Sequence, residues 1–131
     1  MVALTQTILD EIADYIANQL TSHLTVGTGD NAITLASTDL ETPVQIGVAD
    51  RNKSAESVTV TDNFFSKEYI LTTGEPDTQP VNIGEVGIQP GADTTDELKV
   101  GFVFTASTKD TDSKWTIRLS GKVIEETWLL Q

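Results

Sequence analysis

The spacing of the apolar residues changes once along this chain, and that change limits the possible folds more than any other feature. Within residues 2–24, apolar side chains recur every four positions, at Ile8, Ile12, Ile16, Leu20 and Leu24. This spacing puts them in one stripe of an α-helix. We therefore predict an amphipathic helix over 2–24, ended by Gly27 and Gly29.

After Gly29 the apolar residues alternate with polar ones, which is typical of half-buried β-strands. The alternating segments are 44–48, 57–61, 68–72, 100–104 and 115–123, and a further segment, 81–88, breaks its alternation at Gly84-Glu85, which predicts a bulge. We expect 100–104 and 115–123 to pair as an antiparallel hairpin. The prediction is a mainly β single domain over 1–131: an antiparallel β-sandwich at 26–124, one N-terminal amphipathic α-helix, and a tail at 125–131.

The charge balance is strongly acidic. Twenty Asp and Glu residues against eight Lys and Arg give a formal net charge of −12. Because such a surface repels phosphates and anionic lipids, we expect neither nucleic-acid nor membrane partners. The dispersed acidic residues suggest adaptation to high salt. The alternative is an acidic protein from an organism that lives at ordinary salt concentrations, and melting curves in low and in molar salt separate the two.

The residue inventory favours a protein without a catalytic centre. The absence of cysteine excludes disulfides, thiolate metal sites and cysteine nucleophiles. No apolar stretch is long enough to span a bilayer, and the N-terminus lacks the features of a signal peptide, so we expect a soluble, unprocessed chain.

Three charged or titratable residues stand out. Glu85 lies among apolar neighbours in a predicted strand, where a carboxylate needs hydrogen bonds. We expect it to accept hydrogen bonds from backbone amides or from a cationic side chain at a kink formed with Gly84 and Gly87. The alternative is a role as a general acid or base. Arg118 is its candidate partner. His23 is the only histidine and falls in the expected last helical turn, where the helix dipole favours a cation.

The acidic segments 93–97 and 110–112 could hold a structural calcium ion, although neither has the spacing of a dedicated loop. Solvated turns are the simpler interpretation, so we expect no cofactor and no metal. Asn52-Lys53-Ser54 matches the N-glycosylation pattern in an expected surface turn.

The segment Trp128-Leu129-Leu130 forms an apolar tip after two glutamates. Such a tip is a liability on an isolated chain. We expect it to pack against a neighbouring subunit, and the chain's own helix is the competing partner. Together with Ile8, Ile12, Ile16 and Leu20 on the helix, it supplies the candidate assembly residues. Trp115, within an alternating run, is expected in the core.

Three segments in fixed order carry a resemblance to a known group of proteins. They are Val26-Gly27-Thr28-Gly29, Leu40-Glu41-Thr42-Pro43-Val44 and Ile83-Gly84-Glu85-Val86-Gly87-Ile88, followed by the run with Phe102 and Trp115. This order resembles small structural proteins of tailed phages and archaeal viruses, of the tail-collar-fibre or capsid-decoration and turret type. The resemblance covers residues 26–123.

The resemblance implies a non-enzymatic virion component that works as a symmetric homo-oligomer and contacts other virion proteins. The acidic surface would suit a virus of a haloarchaeon. The alternative is a carbohydrate- or receptor-binding β-sandwich, in which Tyr69, Trp115 or Trp128 would stack on a sugar.

Overall fold

The computed structural model describes residues 3–48, 50–92 and 96–124. An α-helix, α1 (Gln6–Tyr15), continues into one π-helical turn (Ile16–Leu20) and precedes eight strands. The strands are β1 (His23–Gly27), β2 (Pro43–Val44), β3 (Lys53–Ser54), β4 (Ser57–Thr61), β5 (Phe64–Leu71), β6 (Val81–Gln89), β7 (Val100–Lys109) and β8 (Trp115–Lys122).

The strands form two antiparallel sheets, which we call sheet A and sheet B. Sheet A has the order β2-β1-β6-β7, and β3 also pairs with β1; sheet B has the order β4-β5-β8. The predicted fold class is confirmed: the chain is mainly β, with two antiparallel sheets, consistent with a β-sandwich, and one N-terminal helix. Within β6 the pairing register shifts between Ile83 and Glu85, where the sequence breaks its alternation.

The main core lies between the two sheets. Its buried members are Leu24, Val26, Ile46, Tyr69, Leu71, Ile83 and Ile88. Because β5 buries every second residue, Phe65, Lys67, Tyr69 and Leu71 share one face of sheet B. Sheet A covers the Leu71 end of that face, and the helix covers the Phe65 end through Ala13 and Ala17.

The helix is shorter than predicted. The helical residues end at Leu20, whereas His23 and Leu24 belong to β1, so the predicted range 2–24 is wrong at its end and the sandwich begins at His23 rather than at residue 26. The Thr21 hydroxyl donates to the carbonyls of Ile16 and Ala17 and closes the last turn. Leu24 continues the four-residue spacing by coincidence, because it also alternates with Val26 in a buried strand.

The expected hairpin of 100–104 with 115–123 is also wrong. β7 pairs with β6 in sheet A, and β8 pairs with β5 in sheet B. The connection at 110–114 therefore carries the chain from one sheet to the other. Both strands still point apolar side chains at the same core, since Phe104, Trp115 and Ile117 all pack against it. Alternation predicts which residues face the core, but it does not predict which strand is the neighbour.

The segment 44–48 is not a continuous strand. Only Pro43–Val44 pairs with β1, at Val26 and Gly27. Ile46 is buried in the core, whereas Val48 is 85% exposed. A backbone hydrogen bond from Gly47 to Asp50 turns the chain here, so the alternation of Val44, Ile46 and Val48 does not describe one strand.

Candidate functional site

An open apolar cleft separates the edges of the two sheets, and we call it the β7–β8 cleft. On the sheet A side it is lined by Val86, Ile88, Val100, Phe102 and Phe104; on the sheet B side it is lined by Trp115, Ile117 and Leu119. Its volume is about 480 Å³. Among the described residues, Arg118 is the one charged residue that lines it.

The cleft exists because the two sheets differ in width. Sheet A runs across four strands from β2 to β7, whereas sheet B has three. Residues paired directly across β6 and β7 share a face, as Val86 and Phe102 do. Phe102 stacks on Phe104 with ring centroids 5.8 Å apart, yet it remains 65% exposed. The inner face of β7 is therefore an apolar surface with incomplete cover.

Both strands that border the cleft have a free edge. Among the described residues β7 pairs only with β6, and β8 pairs only with β5. A free edge presents unpaired backbone amides and carbonyls that another strand can bind. The cleft thus combines unpaired backbone groups with an apolar floor, which is the combination that strand addition requires.

The helix packs on sheet B of the same chain through residues other than those of the predicted apolar stripe. Its buried residues are Leu9, Ala13 and Ala17, and the two alanines form a buried cluster with Phe65 of β5. Of the predicted assembly residues, Ile12, Ile16 and Leu20 are half-buried and Ile8 is 42% exposed. Trp128, Leu129 and Leu130 lie outside the described residues.

Glu85 is buried against the glycines of the first motif. Its Oε1 accepts a hydrogen bond from the backbone amide of Thr42 at 3.3 Å, and its Oε2 has no partner among the described residues. A Cβ on Gly29 would clash with Oε2, and one on Gly27 would lie 2.9 Å from the Glu85 side chain. The Gly27-Thr28-Gly29 segment thus provides the space that this carboxylate occupies.

The expected pairing of Arg118 with Glu85 is wrong. Arg118 stands directly opposite Glu68 in the β5–β8 register, and its Nε lies 3.5 Å from the Glu68 carboxylate. Its side chain is 70% exposed. An exposed ion pair of this kind contributes little to stability, so Arg118 remains available at the rim of the cleft.

Lys67 is a buried cation that sequence reasoning missed. Its Nζ donates to the carbonyls of Ala17 and Thr21 at 2.6 and 2.7 Å, and the Tyr69 hydroxyl donates to the same Thr21 carbonyl. Burial lowers the pKa of Lys67 and raises that of Tyr69 to about 12. A cation at this position satisfies carbonyls that the helix end leaves open. The signal was present, since Lys67 interrupts the apolar alternation of β5.

His23 does not lie at a helix end, and the expected cationic role is wrong. It belongs to β1, opposite Gln89 of β6, and its Nδ1 lies 2.8 Å from the Ser22 hydroxyl. Burial and the nearby positive charge of Lys67 together lower the pKa of His23, and the opposing effect of Asp96 is smaller. The fold therefore favours the neutral imidazole.

We expect the single histidine to titrate below its ordinary value of 6.5. Because the unfolded chain binds the proton more readily, His23 supports the fold above pH 6.5, and this contribution is lost as the pH falls through the lower folded pKa. NMR titration of the imidazole measures the shift directly. Lys67→Met should raise the measured value, and an unshifted titration in both proteins would contradict the burial of this ring.

The acidic segment 110–112 forms a turn that is closed by its own hydrogen bonds. Asp110 accepts bonds from the Asp112 amide and the Ser113 hydroxyl and so closes its own turn. Among the residues that the structure describes, no group of three or more His, Cys, Asp or Glu side chains is placed to hold a metal ion; residues 93–95 of the other acidic segment fall outside them.

Asn52 is not a surface residue, as the glycosylation pattern led us to expect. It is 7% exposed, and its amide donates to the Gln89 side chain and the Gly91 carbonyl. Among the candidate sugar-stacking residues, Tyr69 is fully buried and Trp115 is half-buried in the cleft, so neither presents an open ring face on a loop.

No protein-family model matches this sequence, and no curated protein matches it at a significant level. No helix within the described ranges is long and apolar enough to cross a membrane.

Proposed function

We propose that this protein is a non-enzymatic structural component of a virion that assembles as a symmetric homo-oligomer. The observation that carries the proposal is the β7–β8 cleft, where Phe102 is 65% exposed beside two strand edges that pair with no further strand within the described ranges. Apolar surface of this kind marks an interaction site, and a closed ring of identical subunits buries it on every copy.

The buried charged residues support a structural role. Lys67 binds helix carbonyls, Lys109 donates to Thr72 and Asp110 carbonyls, and Glu85 accepts a backbone amide. Each of these groups holds the backbone in place. The virion assignment itself comes from the resemblance of the ordered Gly-x-Gly and Glu-Val-Gly segments, and docking on other virion proteins is part of the same proposal.

The assembly is tested by light scattering on the purified chain in low and in molar salt. Salt matters because a net charge of −12 on every subunit opposes association. We expect a defined oligomer, and we expect it to be more stable in molar salt. A chain that is monomeric at both salt concentrations would contradict the proposal.

The Phe102→Asp variant should lose assembly while keeping its fold. An aspartate at this position places a carboxylate against the apolar floor, where it loses its hydration once another chain covers the cleft, so we expect the association constant to fall at least 100-fold. Phe102 is largely exposed in the single chain, so folding should change little. Light scattering and circular dichroism measure the two effects.

Val48→Asp is the matched control, because Val48 is also an exposed apolar residue, at 85%, and does not line the cleft. Assembly should survive this change. If the two aspartates weaken association equally, the cleft is not the assembly surface.

A further inference from the structure

The β7–β8 cleft lies where a fourth strand of sheet B would fit beside β8. Sheet B ends at β8, and one more strand beside β8 would give it four strands, as many as sheet A has from β2 to β7. That strand would lie over the exposed ring of Phe102. Its inward side chains would have to be apolar at every second position, because the cleft floor is apolar.

The segment 125–131 has this pattern. Trp128 and Leu130 are two positions apart and would share one strand face. Glu125 and Glu126 precede them, and Arg118 at the rim of the cleft has a side chain that is 70% exposed. The segment therefore matches the cleft in both apolar spacing and charge.

The reach of the chain argues against insertion into its own cleft. The first residues of β8, from Trp115 to Leu119, line the cleft, and the strand then extends beyond it to Lys122. Ile124 lies seven residues beyond Ile117, which is about 23 Å along an extended strand. Trp128 and Leu130 are four and six residues beyond Ile124 and can return at most about 14 and 21 Å, even when the chain is fully extended. Both therefore stop short of Ile117, in the middle of their own cleft.

We infer that the segment 125–131 of one copy adds as a strand to β8 of a second copy, with Trp128 and Leu130 packed on Phe102. The inference rests on the proposed homo-oligomer, and the contact between this segment and β8 would hold that oligomer together. Main-chain hydrogen bonds to the free edge of β8 supply affinity, and the two apolar side chains fix the register.

Thiol cross-linking tests this contact without competing native thiols, because the chain contains no cysteine. One preparation carries Phe102→Cys and a second carries Leu130→Cys. After mixing and subunit exchange, a short bis-maleimide should join one chain of each kind. Val48→Cys replaces Phe102→Cys in the matched control, which should give no mixed product.

A third preparation carries both Phe102→Cys and Leu130→Cys in one chain. The expected product is again a species of two or more linked chains. An internal cross-link within a single chain would show that the segment folds back on its own cleft and would overturn the inference. The absence of any cross-link while light scattering still shows an oligomer would overturn it too, and would leave the proposed function standing.

Removal of Thr127–Gln131 gives an independent readout. We expect the association constant to fall at least tenfold and the melting temperature of the dissociated chain to stay unchanged. Trp128→Ser with Leu130→Ser should do the same. An oligomer of unaltered mass and affinity after either change would contradict the inference, whereas a full-length chain that never assembles would contradict the proposed function itself.

Discussion

The Leu24→Ala variant is expected to lose about 3 to 4 kcal/mol of unfolding free energy. Leu24 is fully buried in β1, the strand of sheet A that pairs with β6 on one side and with β2 and β3 on the other. Its side chain packs in the main core with Val26 and Ile83. Truncation there removes apolar contacts and leaves a cavity that rigid neighbours fill poorly. Urea unfolding at fixed chain concentration measures the loss.

Leu20→Ala is the matched comparison, because the sequence places both leucines on one helical stripe. Leu20 ends the π-helical turn and is only half-buried, so its truncation should cost about 1 kcal/mol. Equal losses for the two variants would show that Leu24 is not a core strand residue and would contradict the observed end of the helix.

The Lys67→Met variant is expected to lose about 2 kcal/mol of unfolding free energy. Methionine fills similar space but donates no hydrogen bond, so the carbonyls of Ala17 and Thr21 lose the Lys67 donor, which lies 2.6 and 2.7 Å away. They keep only the weaker neutral bonds from the Thr21 and Tyr69 hydroxyls. The change also removes a cation whose pKa is lowered by burial. Relief of that desolvation offsets part of the loss, which is why the expected figure is moderate.

The control for this variant is Lys122→Met, at the exposed end of β8. Its effect should stay within about 0.5 kcal/mol. Urea unfolding gives both values, and far-ultraviolet circular dichroism shows whether the helix is still formed. If Lys67→Met unfolds at the same urea concentration as the Lys122→Met control, the bonds from Lys67 do not hold the helix to sheet B.

The residue pattern predicted the fold class because alternation and the four-residue spacing both reflect which side chains face the core. It failed where one residue satisfied two patterns. Leu24 fits the helical stripe and also the strand alternation with Val26, and only tertiary pairing with β6 decides between them. The strand is favoured because it buries both residues on the inner face of sheet A.

The candidate site was predicted only in part. The sequence singled out Gly27-Thr28-Gly29 and Glu85 as members of one ordered set, and the structure places them in contact. It did not predict the cleft, because Phe102 and Trp115 look like core residues in any strand arrangement. Their exposure depends on the two sheets having different widths, which is a property of long-range pairing and not of local spacing.

Amide hydrogen exchange shows whether another chain covers the β7–β8 cleft. We expect peptides from 100–104 and 115–119 to exchange slowly in the full-length oligomer and much faster in the Phe102→Asp variant. Peptides from 57–61, in β4 at the opposite edge of sheet B, should not change. Equal exchange at the cleft in both proteins would show that no chain covers it.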